Sequence, residues 1–153
     1  MDNTKTKAIV ALLPQEDGLW SKVEPTHMTM IYVGEIETLK VTQYNELAKD
    51  IASIALLSNP VMAKVMGTDV MGDDERVDVL LISPTPEILA MRRMLEKWED
   101  GEFSSFEPHV TVGPEGTITD WNSQSTPLPI YLVFDRITLI WGEDRLTLWL
   151  RKY

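Results

Sequence analysis

The sequence contains two short stretches of similar form, HMTMIYVG at residues 27–34 and HVTVGPEG at residues 109–116. Each begins with one of the chain's two histidines, and a threonine follows two positions later. A proline lies just before each stretch, and each apolar run reaches a glycine. Because side chains alternate between the faces of a β-strand, the histidine and the threonine of each stretch should point to the same side. The pattern predicts two strands that each present an imidazole and a hydroxyl on one face.

The two histidine–threonine pairs, 82 positions apart, predict one site assembled from two halves. Its members are His27 and Thr29 from the first strand and His109 and Thr111 from the second. Continued alternation would place Ile31 on the histidine side. It would turn the intervening residues of the first strand toward a helix, namely Met28, Met30 and Tyr32.

Length and composition indicate a soluble globular protein. The 153 residues fit one domain, covering positions 1–153, and 44% of them are hydrophobic. No apolar stretch approaches the roughly 20 residues that span a bilayer, and the N-terminal run resembles a strand more than a signal peptide. The absence of cysteine excludes disulfides, a thiol nucleophile and a thiolate metal site. We therefore expect a cytoplasmic protein that has no membrane partner.

The formal net charge of −10 bears on the partner. Binding to long nucleic acid needs many cationic phosphate contacts, which a strongly acidic chain opposes. A small phosphorylated ligand needs only a few local groups. The charge therefore disfavours long nucleic acid and is compatible with a nucleotide-sized ligand.

The remaining patterns predict an α+β domain. Apolar residues recur at helical spacing after Thr38, which is the expected N-cap. They recur again in a second predicted helix, which starts near Pro84 to Pro86, carries Trp98 on its apolar side and stops before Gly101. Runs of strands interrupted by single helices favour a mainly antiparallel sheet with helices on its outer face. Residues rich in Gly, Ser, Thr and Pro predict a long loop at 114–129. Strands are expected at 7–13, 61–66, 77–82, 130–141 and 145–152 in addition to the two motif strands.

With its two His-x-Thr motifs and this element order, the chain resembles the 2H phosphoesterase superfamily. That family includes bacterial 2′–5′ RNA ligase-like cyclic phosphodiesterases and phage-encoded members. The resemblance implies a bilobed α+β fold whose sheets line a central groove. It also implies that His27, Thr29, His109 and Thr111 occupy the family's four motif positions.

The flanks of the motifs are acidic, whereas many cellular members of the family carry basic residues around the groove. The acidic flanking residues here include Glu24, Glu35, Glu107 and Glu115. This difference favours a small cyclic nucleotide or oligonucleotide over an RNA end. The short, acidic, cysteine-free chain looks like phage members, some of which hydrolyse cyclic nucleotide signals of antiphage defence. A phage-encoded protein of this kind would act in the host cytoplasm.

The residue types suit phosphodiester cleavage. The attacking oxygen must lose a proton and the leaving oxygen must gain one, and imidazole can do either near neutral pH. The threonine hydroxyls can donate hydrogen bonds to the non-bridging phosphate oxygens. Two histidines without clustered carboxylates make a poor metal site, so we expect neither a metal nor another cofactor.

Aromatic residues are candidates for stacking on a base. Trp20 and Trp121 are favoured as substrate-binding residues because they lie in predicted loops, ahead of Phe106, Trp141 and Trp149. The alternatives to a cyclic nucleotide substrate are a 2′,3′-cyclic phosphate and a 2′–5′ oligonucleotide. A non-catalytic nucleotide-binding protein and a phage assembly protein are alternatives from other classes. Two intact proton-transfer groups favour catalysis, because binding alone does not need them.

Overall fold

The structure, a computed structural model, describes residues 6–15, 20–100, 106–123 and 127–151. Its strands are β1 (Lys7–Pro14), β2 (Met28–Glu35), β3 (Val61–Met71), β4 (Val77–Ile82), β5 (His109–Pro114), β6 (Tyr131–Trp141) and β7 (Asp144–Trp149). Its α-helices are α1 (Val41–Leu57), α2 (Pro86–Leu95) and α3 (Thr117–Ser123). Short 3₁₀ turns precede α1 and follow α2. The predicted α+β class is confirmed. No helix in these ranges is long and apolar enough to cross a membrane.

All the strand pairings are antiparallel, and the sheet closes on itself. The strand order is β1-β2-β5-β4-β3-β6-β7, and β1 also pairs with β6. The eleven-residue β6 makes this possible, because its first residues pair with β3 and its later residues pair with β1. Two lobes result, one built on β1 and β2 and the other on β3, β4 and β5. They meet where β2 pairs with β5 and along β6.

The helices cover one face of the sheet. A ring of six strands about 4.8 Å apart is too narrow to enclose a helix about 10 Å across, so the helices pack outside it. The core that they form with the strands contains Leu47, Ile51 and Ile54 of α1, Ile88 and Leu95 of α2, and Val10, Leu12, Ile137 and Leu139 of the sheet. We call the opposite side of the sheet the inner face. In the first lobe it carries Ile9, Ala11, Leu13, Thr138 and Ile140.

A β-bulge changes the predicted alternation of β2. Ala11 pairs with Thr29, whereas Val10 pairs with Ile31, so Met30 is an extra residue in the ladder. Ile31 consequently returns to the helix-covered face, where it is buried. Tyr32 is only partly buried, and its hydroxyl donates to Glu35 Oε1 at 3.2 Å. The expectations for Ile31 and Tyr32 were wrong because alternation restarts after the bulge.

Two further expectations are corrected. Thr38 does not cap α1, which begins at Val41 after Lys40. The Thr38 hydroxyl instead donates to the Glu35 carbonyl at 2.7 Å, closing the 3₁₀ turn. The predicted loop at 114–129 contains α3, although residues 124–126 of that range lie outside the described part of the chain. The last strand ends at Trp149, before the expected position, and residue 152 is also outside the described ranges.

Helix α3 forms because a buried carboxylate supplies its cap. Asp78 of β4 accepts hydrogen bonds from the backbone N–H groups of Gly116 at 3.2 Å and Ile118 at 2.9 Å. These are N–H groups that the first turn of a helix leaves unpaired. Asp78 lies 38 positions before Gly116, so local sequence around α3 does not reveal this cap.

Candidate active site

The four motif residues meet because β2 and β5 are neighbours in antiparallel register. Met28 pairs with Val110. Extending this register by one step in either direction sets His27, the residue just before β2, beside Thr111, and sets Thr29 beside His109. Side chains directly opposite each other in such a pair have Cβ atoms about 4.5–5.5 Å apart, and diagonal neighbours such as the two histidines are separated by about 7–8 Å.

All four side chains point to the inner face. Met28 and Val110 have 0% exposure and belong to the helix-covered core, so the residues on either side of each project the other way. His27, Thr29, His109 and Thr111 are each partly exposed. We call these four residues the His–Thr square. The structure thus brings together both predicted halves, with a histidine of one strand facing a threonine of the other.

The two imidazoles are held in the same way. Nδ1 of His27 lies 2.7 Å from the carbonyl oxygen of Pro25, and Nδ1 of His109 lies 2.7 Å from the carbonyl oxygen of Glu107. A carbonyl oxygen can only accept, so Nδ1 carries the proton in both rings. The neutral ring then has its proton-accepting lone pair on Nε2. Each histidine therefore presents the nitrogen that can take up or give back a proton, with its ring orientation fixed by the backbone two residues earlier.

The strands on either side of the His–Thr square supply small or apolar neighbours. Ala11 pairs with Thr29 from β1, while Leu81 and Val79 of β4 pair with His109 and Thr111. Apolar walls lower the local dielectric, which strengthens any hydrogen bond that the four polar side chains make.

The loop before β2 is hydrogen-bonded to the strand that carries the second motif. Ser21 Oγ donates to the Thr111 carbonyl at 3.2 Å, and the Lys22 N–H donates to the Val112 carbonyl at 2.8 Å. Ser21 Oγ also accepts from the Val23 N–H at 3.0 Å. Sequence reasoning missed Ser21, whose role depends on a contact across 90 positions. As a result, Trp20 is held next to the strand that carries His109.

A cavity of about 340 Å³ lies beside Trp20. Its walls include Pro14, Trp20, Pro129, Tyr131 and Val133. We call it the Trp20 cavity. Pro14 follows Leu13, which the β1–β2 register, extended by one step, places beside His27, so the cavity lies near the end of β1 that adjoins the His–Thr square. Its volume falls at the lower end of the range for ligand pockets, about 300–1,000 Å³.

The two tryptophans singled out from the sequence differ in their surroundings. Trp20 is partly exposed and lines the cavity. Trp121 is in helix α3, not in a loop, and is 7% exposed within the core. The rings meet edge to face, with centroids 6.3 Å apart and an interplanar angle of 86°. The expectation of an accessible Trp121 was therefore wrong, since its ring supports Trp20 from the core side.

No protein-family model and no curated protein matches this chain. Solved structures do match it over nearly its whole length. TT0787 of Thermus thermophilus superposes with a TM-score of 0.59 at 16% identity, covering 95% of both chains. Escherichia coli LigT complexed with ATP gives 0.54 at 16% identity, covering 94% of this chain and 98% of LigT. Kluyveromyces marxianus Usb1 with uridine monophosphate gives 0.60 at 11% identity, covering 97% and 100%.

These structures have the 2H phosphoesterase fold. The expectation drawn from the two His-x-Thr motifs is therefore confirmed at the level of the fold: this chain has the bilobed α+β architecture of the 2H phosphoesterases.

Proposed function

We propose that this protein is a phosphodiesterase that cleaves a small nucleotide, with His27 and His109 as its acid–base pair. The observation that carries the proposal is the matched orientation of the two imidazoles. Each donates Nδ1–H to a backbone carbonyl at 2.7 Å and stands in the His–Thr square. A structural role for one histidine would not require the other to repeat its geometry on a neighbouring strand.

The reaction divides two proton transfers between the two rings. A phosphate bound over the square has one histidine near its attacking oxygen and the other near its leaving oxygen. Nε2 of the neutral ring accepts the proton of the attacking hydroxyl or water while the new P–O bond forms. The protonated ring gives its Nε2 proton to the leaving oxygen as the old P–O bond breaks. The two histidines exchange these roles when the reaction runs in the reverse direction.

Thr29 and Thr111 hold the phosphate between the rings. Each hydroxyl lies across the ladder from the histidine of the other strand, so both can donate to non-bridging oxygens. These oxygens gain charge in the transition state, and fixed donors stabilise that charge. The proton transfers require no metal, because two imidazoles provide both the acid and the base.

A small nucleotide fits the surroundings better than a long one. The charge of −10 opposes binding of a long polyanion. LigT was solved with ATP and with NADP+, and Usb1 with uridine monophosphate, so structures of this fold accommodate single nucleotides and dinucleotides. The Trp20 cavity lies near the end of β1 that adjoins the square, and it offers an aromatic ring to one base. The proposed substrates are cyclic di- or trinucleotides, including the signals of antiphage defence. The alternatives are 2′,3′-cyclic phosphates and 2′–5′ linked oligonucleotides.

A substrate panel tests the proposal. Purified protein is incubated with EDTA and each of these compounds, and the products are identified by mass spectrometry. Turnover of at least one compound is expected, with kcat falling by at least about 100-fold in His27→Ala and in His109→Ala. Circular dichroism and thermal melting check that both variants fold. Turnover that survives both substitutions contradicts the assigned roles. Tight binding with intact ligand recovered would favour the nucleotide-binding alternative.

A further inference from the structure

We infer that the inner face holds a second base-stacking position on Trp149, so that the preferred substrate contains at least two nucleotide units. This inference rests on the proposed function and specifies its substrate. The position consists of Trp149 of β7 and Arg136 of β6, which we call the Trp149 shelf.

The shelf lies in one row with the first histidine. Trp149 pairs with Arg136, and Arg136 pairs with Leu13 of β1. Leu12 pairs with Met28, so the next step in that register places Leu13 beside His27. Paired residues point to the same face of a sheet, which puts the shelf and His27 on the inner face. They are three strand spacings apart, about 14 Å along the sheet.

Trp149 is built as a platform. The Arg136 guanidinium carbon is 5.4 Å from the centroid of the Trp149 ring, within the range of a cation–π contact. Arg136 is itself fixed, because Nε donates to Asp135 Oδ1 at 3.0 Å and Nη2 donates to the Pro14 carbonyl at 2.6 Å. Trp149 nevertheless remains 60% exposed. A large ring with fixed backing and an open surface is the arrangement on which nucleic-acid bases stack.

The shelf and the Trp20 cavity are separate positions. Pro14 lines the cavity, and its carbonyl accepts from Arg136, so these two residues stand between Trp20 and Trp149. One base can occupy the cavity or the shelf, but not both. Filling both aromatic positions while a phosphate lies on the His–Thr square therefore requires two bases joined through a phosphate.

The electrostatics of the shelf indicate how it recognises the second base. The charge of Arg136 is compensated by the buried carboxylate of Asp135, 3.0 Å away. The shelf therefore offers stacking more than attraction for phosphate. Stacking tolerates different bases, since every base has a π-face. The gain from the second nucleotide should accordingly depend little on which base it carries and little on salt concentration.

Calorimetry on a catalytically inactive variant tests this inference separately from catalysis. In the His27→Ala, His109→Ala double variant, we measure the binding of adenosine 5′-monophosphate and of the linear 3′–5′ dinucleotide ApA. ApA should bind more tightly. Adding Trp149→Ala should lower the ratio of ApA to monophosphate affinity by about 5- to 100-fold. Trp149→Phe should restore most of that ratio. Leu56→Ala, an exposed position on the outer helix α1, serves as the control.

The outcomes separate the two proposals. An unchanged affinity ratio in Trp149→Ala overturns the shelf, as does an equal loss for both ligands or no binding of either ligand. If the ratio falls as expected while wild-type protein cleaves no member of the substrate panel, the shelf stands and the phosphodiesterase proposal fails. Thermal melting of the Trp149→Ala and Trp149→Phe variants checks that the comparison concerns folded protein.

Discussion

Met28 and Val110 pair across β2 and β5, and both have 0% exposure. This buried contact is the register pair that joins the two motif strands. Each of the four residues of the His–Thr square is adjacent in sequence to Met28 or Val110. The packing of these two apolar side chains on the helix side therefore aligns the four polar side chains on the inner face. Stability of the core and alignment of the site are consequently linked.

Met28→Ala should affect both stability and activity. Removing a fully buried methionine side chain leaves a cavity and costs about 2–5 kcal/mol of the free energy of unfolding. Because Met28 separates His27 from Thr29, the same change should lower kcat under conditions where the protein is still folded. Urea denaturation and steady-state kinetics provide the two measurements. Met66→Ala removes an exposed methionine and is the matched control. Equal urea midpoints for the two variants would refute the expected role of Met28.

The threonines provide a test of phosphate binding that leaves the histidines intact. Thr29→Val and Thr111→Val keep the β-branched shape and remove the hydroxyl donor. Loss of one preorganised donor to a developing charge typically lowers kcat by about 10²–10³-fold, and we expect losses of that order. The control is Thr42→Val, at an exposed position of α1. The assignment fails if either site variant retains the activity of Thr42→Val.

Asp50 gives a pH-dependent prediction for stability. Burial favours the neutral form of this carboxyl, but hydrogen bonds from Trp98 Nε1 and Lys97, together with the charge of Lys97, outweigh it and lower the pKa of Asp50. A carboxyl whose pKa is lower in the folded state stabilises the fold above its unfolded pKa of about 3.9. That contribution disappears as the pH falls through the folded-state pKa.

Asp50→Asn should therefore be less stable than wild type at pH 7, by about 1 kcal/mol or less because the pair is partly exposed. The difference should shrink as the pH falls below about 4. Urea denaturation at pH 7 and pH 3 measures it, and Trp98→Phe, which removes one donor to Asp50, should shift in the same direction. A deficit at pH 3 as large as that at pH 7 would exclude the ionised carboxylate as its cause.

The composition of the His–Thr square is visible in the sequence because it depends on a spacing of only two residues. His27 and Thr29 share a face before the ladder is interrupted, so alternation alone locates them. The bulge at Met30 is not marked in the sequence, since Met30 and the three residues after it are all apolar or aromatic. Alternation consequently fails at Ile31 and Tyr32, where the position of the partner strand decides which way a side chain points.

Contacts between distant segments explain the rest of what the sequence did not show. Trp121 was favoured over Trp149 as a base-stacking residue because it was predicted to lie in a loop. In the structure Trp121 is 7% exposed, whereas Trp149 is 60% exposed. Trp121 is buried in the core and is carried by a helix that Asp78, far earlier in the chain, caps. Trp149 is exposed at the sheet edge, and its contact with Arg136 exists only through the β6–β7 register. Neither relationship produces a local pattern.

Trp20 and Trp121 form an edge-to-face pair, but replacing each of them with alanine should have a different effect. Trp20→Ala should raise KM by about 5- to 100-fold with a smaller change in the free energy of unfolding, since Trp20 is partly exposed and lines the cavity. Trp121→Ala should lower the free energy of unfolding by about 3–5 kcal/mol, the cost of truncating a buried aromatic residue. Steady-state kinetics and urea denaturation of both variants make the comparison. If Trp121→Ala raises KM in fully folded protein while Trp20→Ala does not, Trp121 rather than Trp20 binds the base, and the assigned roles are wrong.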